Sequence, residues 1–107
     1  VVLPKVGRFA DGVAVAQVGE HNFALCRHYV DEVITVSNDD ICAAVRDIYD
    51  DIRSITEPSG ALAVAGLKAY VAREEIKDQV LVAINSGANI DFDSLRHVIE
   101  RAGQCGR

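Results

Sequence analysis

The chain has 107 residues and a formal net charge of −5; half of its residues are hydrophobic and a quarter are charged. That is the composition of one ordinary water-soluble domain with a small core. Acids exceed bases, and Lys5, Arg8, Arg27, Arg46, Arg53, Lys68, Lys77 and Arg96 are scattered, so no basic face for nucleic acid is expected. The longest apolar run, 61–67, is far short of the ~20 residues of a membrane span, so no membrane partner is expected either.

The first 18 residues show no clean period. Asp11-Gly12 reads as a turn, followed by the short apolar segment Val13-Ala14-Val15. His21 to Val30 carries Phe23, Leu25, Cys26, Tyr29 and Val30 at near-helical spacing. Glu32 to Val36 is rich in β-branched residues and reads as a strand. Ser37-Asn38-Asp39-Asp40 then opens a helix, with a capping hydroxyl or amide and two acids at the positive end of the dipole. Ile41, Val45, Ile48 and Ile52 form its predicted buried stripe, while Asp47, Asp50 and Asp51 lie among arginines on a solvated face.

Glu57-Pro58 precedes a third helix, 59–72, with proline at a position where its missing N–H costs nothing. Its start, Gly60 to Gly66, is small and apolar all round, which predicts burial on more than one side. Gln79 to Asn85 contains Val80-Leu81-Val82-Ala83-Ile84 and reads as a buried parallel strand. A last helix, 92–101, is capped by Asp91, stops near Gly103 and turns Leu95, Val98, Ile99 and Ala102 inward. The predicted order is helix, strand, helix, helix, strand, helix, part of an α/β layered fold: a partial three-layer α/β/α open sheet. Two such strands want neighbours on both sides. For that reason, and because the chain has no methionine and opens on Val-Val-Leu-Pro, it is expected to be a piece of a larger fold.

In an open α/β sheet ligands bind just past the carboxyl ends of strands, and Asn85-Ser86-Gly87-Ala88-Asn89 stands there. The Ser86 hydroxyl can serve a heteroaromatic nitrogen or a phosphate, or simply form a turn. Gly87 and Asn89 are standard turn residues. Glu57 is either a dipole partner at the start of its helix or a site acid, and the pattern alone favours the cap. His21, His28 and His97 do not cluster and are expected in structural roles. Cys26, Cys42 and Cys105 are odd in number with no Cys-x-x-Cys, which speaks against a metal site and for a reducing, cytoplasmic compartment; Cys26 and Cys42 are predicted to be buried. No phosphate-binding glycine fingerprint is present.

Four segments carry a resemblance: Lys5 to Val15 (Lys-Val-Gly-Arg-Phe-Ala-Asp-Gly-Val-Ala-Val), Asp39 to Ala44, Glu57 to Ala63 (Glu-Pro-Ser-Gly-Ala-Leu-Ala) and Ser86 to Asn89 (Ser-Gly-Ala-Asn). In this order, over 6–103, they resemble the biosynthetic threonine deaminases (threonine dehydratases, threonine ammonia-lyases), a branch of the fold type II pyridoxal-phosphate enzymes. The resemblance implies that residues 1–107 are the C-terminal portion of a catalytic domain, with 103–107 beginning a linker to a regulatory domain that senses isoleucine.

The implied reaction takes L-threonine to 2-oxobutanoate and ammonia, at the entry to isoleucine synthesis. Pyridoxal 5'-phosphate is the implied cofactor, and Ser86 and Gly87 are the implied cofactor-binding residues. Ser86 matches the serine whose hydroxyl meets the pyridine nitrogen, and Glu57 matches an acid near the cofactor and substrate. Implied partners are threonine, the remainder of the catalytic domain, and further copies in a tetramer. The family's Schiff-base lysine motif, Ser-x-Lys-x-Arg-Gly-Ala, does not occur in these 107 residues, so this polypeptide alone is expected to be inactive. Two other readings stay open: a serine dehydratase or serine racemase of the same family, and a self-standing α/β module that binds a ligand or partner.

Overall fold

A computed structural model describes residues 1–104. A 3₁₀ turn, Asp11–Val13, is followed by four helices: α1 (Glu20–Tyr29), α2 (Asn38–Ile52), α3 (Pro58–Glu74) and α4 (Phe92–Gln104). Each starts within about a residue of its expected position. Gly103, expected to stop the last helix, lies inside α4. Cys105 and the rest of the expected linker fall outside the described residues.

The start of α2 is set by local chemistry. Asp40 N–H donates to Ser37 Oγ at 3.1 Å, and Asp40 Oδ2 accepts from Ser37 N at 3.0 Å and Ser37 Oγ at 2.7 Å, a complete capping box. The Ser37 hydroxyl, followed by its backbone N–H, holds the Asp40 carboxyl below the usual carboxylate range. The helix ends on Arg53, in the left-handed region at φ 58°, whose N–H returns to the Tyr49 carbonyl.

α2 is the centre of the packing, with α3 on one side and α4 on the other. Ile41, Cys42, Ala44, Val45 and Ile48 meet Ala61 and Ala65 of α3 and Val98 and Ala102 of α4. Burying Ile41, Val45 and Ile48 contributes about 1.5–3 kcal/mol each. The small residues of α3 let it approach closely, although Ala63 stays exposed, so the enclosed helix expected there is only partly enclosed. Polar contacts fix the three helices. Arg46 Nη1 donates to the Ala102 carbonyl at 2.6 Å, and Asp47 pairs with Lys68 and with Arg46. Burial works to raise the Asp47 carboxyl, but the hydrogen bond and charge of Lys68, joined by Arg46, outweigh it and hold it low. Arg101 reaches Asp39 at 2.7 Å and lies over the Phe9 ring, tying the segment before the 3₁₀ turn to both α4 and α2.

Several expectations differ from what the described residues show. No strand ladder is formed among them. The physical reason is visible at Val80, Val82 and Ile84, which are 94%, 80% and 71% exposed. A strand is defined by the ladder to its neighbour, and neither 32–36 nor 79–85 has one here. The 32–36 segment is instead held at one end by a bidentate pair from Arg73 of α3 to Glu32, at 2.5 and 2.8 Å. Cys42 is buried as expected but Cys26 is exposed, because α1 packs on no other element among the described residues. Ile52 and Ile99, assigned to apolar stripes, are mostly exposed.

Asp40 and Asp47 both titrate below their unfolded values. The stability they confer is therefore complete above about pH 4 and is lost as pH falls through their lower folded values. Ser37→Ala should lower the unfolding free energy at neutral pH by about 1 kcal/mol and shallow the acid limb. Urea titrations followed by far-ultraviolet circular dichroism at neutral and acid pH check both; an unchanged neutral midpoint would contradict the capping role.

Candidate functional site

The residue before a proline is driven to extended backbone. Glu57 accordingly has φ −73° and ψ 159°, and Pro58 starts α3. The expected side-chain cap is not formed, although the carboxylate stands at the positive end of the α3 dipole. Glu57 occupies the N-cap position, but its side chain makes no cap hydrogen bond; Oε1 instead accepts from Asn89 N–H at 3.3 Å. The segment 86–89 lies directly across the start of α3. Glu57 N–H donates to the Gly87 carbonyl at 3.1 Å, and Ser86 N–H donates to the Gly60 carbonyl at 3.4 Å.

The backbone crossing needs Gly60, and Gly87 leaves room for the Glu57 side chain. A Cβ on Gly60 would stand 2.8 Å from Gly87 N and still closer to Gly87 O. A Cβ on Gly87 would overlap Glu57 Oε1 and stand 3.2 Å from its carboxyl carbon. Neither glycine has a positive φ, so the requirement is close approach rather than backbone freedom.

Sequence reasoning missed two residues here. Gly12 reads as a simple turn, yet the 3₁₀ turn packs on α3. A Cβ on Gly12 would lie 2.9 Å from Ser59 Oγ and 3.5 Å from Glu57 Oε2. Ser59 Oγ is buried and has no hydrogen-bond partner among the described residues. Both residues lie in segments that the sequence singles out, but nothing in their spacing reveals that 10–12 and 57–60 meet.

Of the expected site residues, Glu57, Ser86 and Gly87 are brought together. Ser86 itself is exposed, at the rim of the crossing. Beside it a cavity of about 450 Å³ is lined by Arg8, Phe9, Asp11, Pro58, Asn89 and His97, among others. His97 is thus apart from His21 and His28, which lie on the exposed α1. Asp91 caps α4 through Ser94 N–H at 2.7 Å and Ser94 Oγ at 2.8 Å; these bonds, the backbone one first, keep its carboxyl low. Among the described residues no group of three His, Cys, Asp or Glu side chains is arranged to hold a metal ion, and no helix is long and apolar enough to cross a membrane.

Comparison with known proteins adds three findings. Residues 1–87 match the family model described as "Pyridoxal-phosphate dependent enzyme". The chain is 58% identical over 102 residues to the L-threonine dehydratase biosynthetic IlvA of Burkholderia multivorans, and 52% identical over 101 residues to that of Escherichia coli. These alignments cover 95% and 94% of this chain, and 20% of each relative. The fold superposes with a TM-score of 0.94 and 52% identity on the processed form of threonine deaminase isoform 2 from Solanum lycopersicum, over 96% of this chain and 30% of that one. The chain thus spans about a fifth of the length of the curated relatives it matches. With four-fifths of its residues under the family model and relatives more than half identical along nearly all of it, the chain belongs to the family of pyridoxal-phosphate dependent enzymes.

Proposed function

We propose that this chain is the C-terminal portion of the catalytic domain of a lyase that dehydrates and deaminates L-threonine to 2-oxobutanoate and ammonia. The observation that carries the reading is the crossing of 86–89 over the start of α3, built from the segments shared with the threonine dehydratases. It gathers an exposed serine, a carboxylate and two glycines at one place, with Gly12 close to Ser59 and Glu57. The residues fit a flat phosphorylated pyridine. Gly60 and Gly87 bring two backbone segments into close contact beside an exposed serine, and Ser59 Oγ is a buried hydroxyl with no hydrogen-bond partner among the described residues.

Pyridoxal phosphate, when bound, supplies the electron sink for elimination. The chain's own part is binding and tuning. Ser86 would be the hydroxyl that serves the pyridine nitrogen, and Gly87 would bind the cofactor beside it. A neutral hydroxyl there leaves the ring a weaker sink than a carboxylate would, which suits loss of a β-hydroxyl.

The 32–36 and 79–85 segments are read as strands of a three-layer α/β/α sheet completed by the remainder of the domain. Their exposed valines and isoleucine support this. A regulatory domain beyond this segment, a tetrameric assembly and a cytoplasmic location complete the reading.

The purified 107-residue chain, given threonine and pyridoxal phosphate, should form no 2-oxobutanoate above a no-protein control, whereas the longer polypeptide carrying this segment should. Turnover by the short chain, or none by the long one, would overturn the reading. In the longer polypeptide, Ser86→Ala should lower kcat by about tenfold, the scale of one neutral hydrogen bond. Gly60→Ala should destabilise the site by about 1–3 kcal/mol through overpacking, seen as weakened cofactor retention in dialysis.

A further inference from the structure

Three hydrogen bonds join the 86–89 turn to the start of α3. Two of them run between backbone groups. The third is made by a side chain, Glu57 Oε1, and it lands on Asn89, three residues past Ser86. Residue 57 therefore grips both sides of the turn: its own N–H holds the Gly87 carbonyl, and its carboxylate holds the Asn89 N–H. Pro58 enforces extended backbone at Glu57, the same backbone from which Ser37 caps α2, so it is the 86–89 segment that draws this carboxylate from its own helix. Gly87 has no Cβ in the place where the carboxylate passes.

We propose that Glu57 acts as a positioning residue, holding the Gly87–Asn89 turn through an accepted backbone hydrogen bond and so fixing where Ser86 is presented. This deepens the lyase reading and rests on it for the role of Ser86. What the contact requires is an acceptor at the reach of a three-carbon side chain. Glutamine keeps that acceptor and that reach. Aspartate keeps the charge but is one methylene shorter, and the existing contact is already long at 3.3 Å. A residue acting as a proton carrier would show the opposite order, tolerating aspartate and not glutamine.

The test uses two readouts. The first is amide hydrogen exchange of Asn89 in the 107-residue chain without cofactor. The Asn89 amide should exchange more slowly than that of Ala88. Its rate should rise about tenfold in Glu57→Ala and Glu57→Asp and stay within about threefold in Glu57→Gln. The second is the affinity of the longer polypeptide for pyridoxal phosphate, followed by cofactor absorbance, with the pH–rate profile for threonine. Glu57→Gln should bind within about twofold of the unsubstituted protein and keep its pH profile, while Glu57→Ala and Glu57→Asp lose about tenfold.

Aspartate rescuing where glutamine fails, or all three variants matching the unsubstituted protein, would overturn the proposal. If Glu57→Ala does not fold, the Asn89 amide of the unsubstituted chain and of Glu57→Gln still decides, and an unprotected Asn89 overturns it. A longer polypeptide that binds no cofactor would sink the lyase reading and leave the exchange result standing.

Discussion

Two peptide groups pass one another at Gly60 and Gly87 more closely than any side chain would allow, and the arrangement of the candidate site depends on that contact. A Cβ on Gly60 would push the 86–89 segment off α3, whereas one on Gly87 would displace the Glu57 side chain. Once the backbones touch, the remaining bonds follow from proximity. Glu57 N–H finds Gly87 O, Ser86 N–H finds Gly60 O, and the Glu57 carboxylate finds Asn89 N–H. The helix under this crossing is anchored in turn by Ala61 and Ala65 against α2, small residues again setting a close distance.

The third segment of the site is held from farther away. The 3₁₀ turn containing Gly12 rests on α3, and Phe9, just ahead of it, lies under the Arg101 guanidinium at 5.6 Å. Arg101 is paired with Asp39 in the first turn of α2. An aromatic ring, a cation and an acid thus connect the edge of the site to α4 and α2, two of the three core helices. Surface ion pairs of this kind contribute little stability singly; here their effect is geometric, orienting a segment that has few buried apolar contacts of its own.

Helix starts were legible because the chemistry that makes them is local. Ser37 with Asp40, Pro58 after an extended Glu57, and Asp91 with Ser94 each combine a cap or a proline with residues a few positions away. The buried stripe of α2 was legible through Ile48 for the same reason, its period being written in the sequence. The outcomes at Ile52, Ile99 and Cys26 depend on which neighbour covers which face, and spacing does not encode that. The direction of the Glu57 carboxylate was illegible as well. A carboxylate one residue ahead of a helix has a local donor available, and only the arrival of residues 86–89 draws it elsewhere. Gly12 and Ser59 belong to the same class: both lie in segments prominent in the sequence, and they meet only in the folded chain.

Helices and strands fared differently for a physical reason. A helix satisfies its backbone hydrogen bonds within its own segment; a strand needs a neighbour for every bond. A chain spanning about a fifth of its relatives' length therefore keeps its helices and helix-bound loops, while Val80, Val82 and Ile84 stand bare. This bears directly on Ser86, which follows that segment after one residue. From its C-terminal side Ser86 is fixed by Gly60, Gly87 and Glu57. From its N-terminal side the described residues supply no hydrogen bond to Asn85, and in the proposed fold a sheet ladder through 79–85 supplies the missing constraint. The serine then sits between two rigid elements rather than on a loop, the placement that holds a hydroxyl to the tolerance a cofactor site requires.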